Sequence, residues 1–92
     1  MMTREQRAGI ARLMLRWPEA RTALRLKGAS DQMLLDLCEG YELACDAAIY
    51  WSKSNVPGAA AIADEYRDIA SELEFEIRER ANMASRATAP SA

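Results

Sequence analysis

Apolar positions recur along most of this chain at intervals of three and four residues, and no alternating run is long enough to compete as a strand. Near the N-terminus Ile10, Leu13, Met14 and Trp17 keep the helical spacing. Thr3 followed by Gln6 reads as a capping box, so a first helix is expected from about residue 4 to residue 16. Pro18 ends or kinks it. Because proline suits the first position of a helix, Pro18 to Leu26 is expected as a second short helical piece, closed by Gly28.

Ser30 or Asp31 caps the next helix, which runs to about Ser54, where Ser-Asn-Val-Pro-Gly supplies a break. At 100° per residue, Leu34, Leu37, Cys38, Tyr41, Ala44, Cys45, Ala48 and Ile49 fall on one broad stripe, with Asp36, Glu39, Glu42 and Asp46 opposite. Gly40 costs this helix about 1 kcal/mol relative to alanine and suits the close approach of a neighbouring backbone. The last helix is expected from near Pro57 to about Ala84, with Ile62, Tyr66, Ile69, Leu73 and Ile77 as its core stripe. The fold class is therefore all-α: a long antiparallel helical hairpin over residues 30–84, preceded by a short, Pro-kinked basic helical arm over 1–29. Tyr41, Cys45, Ile62, Tyr66, Ile69 and Leu73 are expected to be mostly buried in it, and residues 85–92 to form a flexible tail.

Size sharpens that picture. A 92-residue chain buries only about 60–65% of the surface it would expose unfolded, so its core is thin and a partner adds much to its stability. Only six side chains are aromatic, and alanine is abundant, a mixture that suits close helix packing. No apolar run reaches the roughly 20 residues of a membrane span, and the N-terminus lacks the apolar stretch of a secretory signal; a cytoplasmic location without membrane contact is expected. Cys38 and Cys45 lie seven residues apart on one helix face, about 10 Å along the axis, too far for a disulfide, and read as small buried apolar residues.

The net charge of −2 conceals a polarity. Residues 1–27 hold seven basic side chains against Glu5 and Glu19, whereas residues 28–81 hold twelve acids against four basic groups. Such asymmetry either closes on itself within a monomer or oligomer, or offers the arm, through Arg4, Arg7, Arg12, Arg16, Arg21 and Arg25, to DNA or an acidic partner. These arginines are scattered around their helices, so nucleic-acid binding is expected to be weak and non-specific at most.

The pattern carries little chemistry. There is no histidine, the two lysines lie at element ends, and no Gly-rich phosphate loop precedes either. No enzymatic activity, metal or cofactor is expected. Glu65, Asp68, Glu72, Glu76 and Glu79 form one acidic ridge, and like charges at these spacings cost a helix about 0.2–0.5 kcal/mol per pair, so cationic neighbours from this chain or another copy are expected to face them. Leu43, Ala47 and Tyr50 lie roughly opposite the main stripe of their helix, and Phe75 is similarly misplaced on the last one. A helix with two apolar stripes packs on two sides. A homo-oligomer or a standing protein partner, held through these four residues, is the expectation.

The segment Leu34-Leu35-Asp36-Leu37-Cys38-Glu39-Gly40-Tyr41, followed by Ala44 and Ala47, resembles the start of the oligomerisation hairpin in small subunits of phage terminases, including those of phage-like gene-transfer particles. The resemblance spans residues 34–80. It implies a ring-forming adaptor that helps deliver DNA to a packaging motor subunit. Small terminases commonly carry an N-terminal helix-turn-helix domain, whereas residues 1–29 alone precede the hairpin here, a departure that argues against specific DNA recognition. The competing expectation is a small phage or bacterial regulator that binds a host protein through its acidic hairpin.

Overall fold

A computed structural model describes residues 2–28 and 30–88, with the side chains of residues 82–88 excepted. The chain is all-helical: α1 (Arg4–Arg16), a 3-10 turn (Pro18–Ala20), α2 (Arg21–Gly28), α3 (Gln32–Ser52) and α4 (Ala59–Thr88). Local chemistry sets these ends. The Thr3 N–H donates to Gln6 Oε1 at 2.9 Å and the Gln6 N–H donates to Thr3 Oγ1 at 3.1 Å, which satisfies two orphan donors of α1 reciprocally. Trp17, whose backbone leaves the helical region ahead of Pro18 (φ −128°, ψ 78°), closes that helix. Asp31 caps α3 through the Leu34 N–H at 3.2 Å. Gly58, with φ of 86°, turns the chain into α4 in a conformation that costs any other residue about 1–2 kcal/mol.

The α3–α4 pair forms the long axis of a molecule 55 Å long, 29 Å wide and 20 Å thick. Their sense is antiparallel, since Asp31 meets Arg80 and Tyr41 meets Glu74. α1 runs alongside α3 in the same direction, Gly9 lying against Cys38 and Arg12 reaching Glu42 and Asp46 a turn later. α2 then returns against α4, where Leu24 is buried and the Arg78 guanidinium sits 4.8 Å from the Trp17 ring centroid. The core is therefore concentrated at one end, around Leu13, Trp17, Leu24, Leu34, Cys38, Tyr41 and Ile77. Toward the α3–α4 turn the buried side chains are alanines, Ala44 and Ala48 on α3 and Ala59, Ala63 and Ala70 on α4.

That alanine seam corrects the expected core. Of the six residues expected to be mostly buried, only Tyr41 is buried; Cys45, Ile62, Tyr66 and Leu73 are half-buried, and Ile69 is exposed. On α4 Ala63 and Ala70, rather than Ile62 and Ile69, are buried, whereas Ile77, the last residue of the expected stripe, is fully buried and Leu73 packs against the core. Small side chains fill the buried face there, and the branched ones stand beside it. Gly40 is not the site of close backbone approach either, for a Cβ there would meet only Leu73 Cδ1, at 3.5 Å. Gly9 is that site: a Cβ on it would overlap the Cys38 carbonyl oxygen. At the C-terminal end α4 continues to Thr88, past the expected stop near Ala84; the rest of the expected tail, 89–92, lies outside the described residues.

Candidate interaction surface

The six arginines of the arm divide into two groups. Arg12 is forked onto Glu42, Nε to Oε1 at 2.8 Å and Nη2 to Oε2 at 3.2 Å, and reaches Asp46 at 3.4 Å. Arg16 lies 3.0 Å from Glu74, which also accepts the Tyr41 hydroxyl proton at 2.8 Å. Arg12 and Arg16 thus tie the arm to the α3–α4 pair. Arg4, Arg7, Arg21 and Arg25 are exposed and have no ion pair among the described residues. The charge asymmetry thus closes partly within the chain. It closes on Glu42, Asp46 and Glu74, however, and not on the ridge of Glu65, Asp68, Glu72, Glu76 and Glu79, all five of which are exposed without a cation partner among the described residues. Glu42, expected on the solvent side of its helix, is buried because α1 lies over it.

A second electrostatic clasp was not foreseen. Asp31 is buried where α2, α3 and α4 meet, and Arg80 grips it with Nε–Oδ2 at 2.6 Å and Nη2–Oδ1 at 2.9 Å, while Lys27 Nζ stands 3.8 Å away. The bond from Arg80, assisted by the Leu34 N–H, holds the Asp31 carboxyl below the usual carboxylate range. Sequence offered only the cap; a contact 49 residues away leaves no local signature. Among the described residues no buried polar side-chain atom lacks a partner.

Of the expected apolar contact residues, Leu43, Tyr50 and Phe75 are exposed to 53%, 67% and 66%, and Ala47 is half-buried. The arm covers none of the exposed three. The structure does not gather them into one patch, however. Tyr50 lies two residues from buried Ala48, so it points about 200° from the α3 seam. Leu43 and Tyr50 therefore occupy the outer edge of α3, whereas Phe75 borders a shallow depression that Met33 and Leu37 of α3 also line. A single neighbouring molecule docked on one place leaves the other free.

Reactive chemistry is sparse. Burial pushes the Cys38 thiol up to about 12, and burial also raises Cys45, so neither is a ready thiolate near neutral pH. Burial, then the bond to Glu74, raises Tyr41. No group of three or more potential metal-ligating side chains stands together among the described residues, and no described helix is long and apolar enough to cross a membrane. No protein-family model, no curated protein and no solved structure matches this chain.

Proposed function

We propose that this chain is a non-enzymatic helical assembly module, an α3–α4 hairpin with a Pro-kinked basic arm folded on its base, that joins copies of itself and a protein partner in the cytoplasm. One observation carries the reading: with the arm already docked, large apolar side chains still face solvent in two separate places, Leu43 and Tyr50 on the edge of α3 and Phe75 beside Met33 and Leu37. Two places accommodate two neighbours, as an assembly of more than two copies requires. A small-terminase-like adaptor in phage DNA packaging, contacting a motor subunit, is the biological setting that the Leu34–Tyr41 resemblance suggests. Arg4, Arg7, Arg21 and Arg25 then supply a weak, sequence-independent attraction to DNA that falls steeply with salt.

Light scattering coupled to size exclusion tests this directly. The native chain is expected to elute as an oligomer, and Leu43→Glu combined with Tyr50→Glu to reduce its mass while leaving it helical by circular dichroism. A double variant that keeps both helicity and native mass makes this edge ordinary surface. A second reading rests on the exposed acidic ridge of α4: a small phage or bacterial regulator that binds a host protein as a nucleic-acid mimic. A monomeric or dimeric native mass favours that regulator.

A further inference from the structure

The arm's first helix stops at Arg16, and past that point the flank of α3 and α4 that it covers nearer the base lies open. The opening is a groove of about 630 Å³, floored by Tyr41, Cys45, Ala48 and Ala70 and edged by Leu15 and Ile49. Leu15 is 80% exposed. Three guanidinium groups, those of Arg12, Arg16 and Arg67, line the groove against the single carboxylate of Glu74. Arg12 is committed to Glu42 and Asp46. Arg16 and Arg67 are more than half exposed, and their pairings with Glu74 and Asp64 leave most of the five donors of each fork unused.

The opposite flank of the α3–α4 pair has the complementary chemistry. Ile62, Ile69 and Leu73 follow one another on neighbouring turns of α4 as a partly exposed apolar ridge, Ile69 exposed and Ile62 and Leu73 half-buried. Glu65 and Glu72 lie three or four residues from Ile69 on either side, exposed and without cation partners among the described residues. An apolar ridge bordered by carboxylates fits an apolar floor bordered by guanidinium groups. The geometry points to a contact between copies in which the Ile62–Ile69–Leu73 ridge of one molecule lies in the Cys45–Ala70 groove of the next, with Glu65 and Glu72 reaching the free donors of Arg67 and Arg16.

This deepens the self-association reading and rests on it. It also fixes the kind of symmetry. Groove and ridge are different surfaces on opposite flanks, so each copy offers one of each and the contact is heterologous, repeating until the rotation per step closes it. Two grooves placed face to face would instead bring Arg16 and Arg67 against their own kind.

Mixing separates this contact from any self-complementary one. Ile49→Glu places a carboxylate at the groove edge and Ile69→Glu places one on the ridge; both side chains are exposed, so both variants fold. Each alone is expected to associate at least tenfold more weakly than the native chain. An equimolar mixture is expected to yield a dimer with one copy of each and nothing larger, because one intact groove then meets one intact ridge. The native Cys45 thiol, on the groove floor, is expected to react more slowly with a small disulfide reagent in the mixture than in either variant alone. Native mass in both single variants, or a mixture that stays monomeric, overturns the contact. If the native chain is monomeric at every concentration, self-association itself fails. If it assembles and only the Leu43→Glu/Tyr50→Glu variant reduces its mass, self-association stands and the groove–ridge contact falls.

Discussion

Three positions show how differently similar residues act. Gly9 and Gly40 both interrupt helices, yet a Cβ at Gly9 collides with the Cys38 backbone, whereas at Gly40 it makes an ordinary contact with Leu73. Gly9→Ala is expected to push α1 off α3 and destabilise the fold by about 1–3 kcal/mol. Gly40→Ala is expected to stabilise it by about 0.5–1 kcal/mol, because the helix gains alanine's propensity without strain. Denaturant melts of the two variants check both signs. Asp31 makes an acid-sensitive prediction. Its folded pKa lies below its unfolded one, so the stability it contributes is fully present above the unfolded value, near 3.9, and is lost as pH falls through the folded value. Asp31→Asn is expected to be less stable than the native chain from pH 5 to 7, with the gap closing below about pH 4. A gap that stays constant down to pH 2 in chemical denaturation removes Asp31 from the acid response.

At the level of elements, the helices and their caps were legible in the sequence because they depend on near neighbours. The Thr3–Gln6 box, the break at Pro18, the Asp31 cap and the turn before Ala59 all lie where local chemistry puts them. The phase of α4 was legible at Ile77 but not nearer the turn, at Ile62 and Ile69. Hydrophobicity favours turning Ile62 and Ile69 inward, but the separation of two helices is set by the smallest residues that can meet, and a run of alanines on α3 selects alanines on α4. Truncation measures that phase. Ile77→Ala, at a fully buried site, is expected to cost about 2–5 kcal/mol. Ile69→Ala, at an exposed one, is expected to cost less than about 0.5 kcal/mol in the monomer. Equal losses at the two positions contradict the alanine seam.

For the whole molecule, the decisive long-range facts are which charges meet and what the arm covers. The sequence showed a basic arm and an acidic pair of helices, and it separated Leu43, Tyr50 and Phe75 from the main stripes. It did not show that Arg12 and Arg16 are used on Glu42 and Glu74, because neither partner differs from the other ten acids of residues 28–81 in sequence context. The groove beside Cys45 was equally hidden, since it arises from where α1 ends relative to α3 and not from any residue pattern. The arm's ion pairs are partly exposed and individually worth about 0–1 kcal/mol, so Leu13, Trp17 and Leu24 supply most of the force that holds it.

Cys38 turns that attachment into something a chemist can time. Its thiol is fully buried at the crossing of α1 over α3, while Cys45 about two turns further on is only half-buried, so a single chain carries a clock and its internal control. Modification of Cys38 requires an opening. If the opening is detachment of the arm alone, the rate rises only gently with denaturant, because little surface is exposed; if it is global unfolding, the rate rises with the full equilibrium slope. Detachment is expected, and with it Cys38 modification that speeds in Gly9→Ala without change in the dependence on denaturant. A dependence equal to the equilibrium slope shows instead that arm and helical pair come apart together.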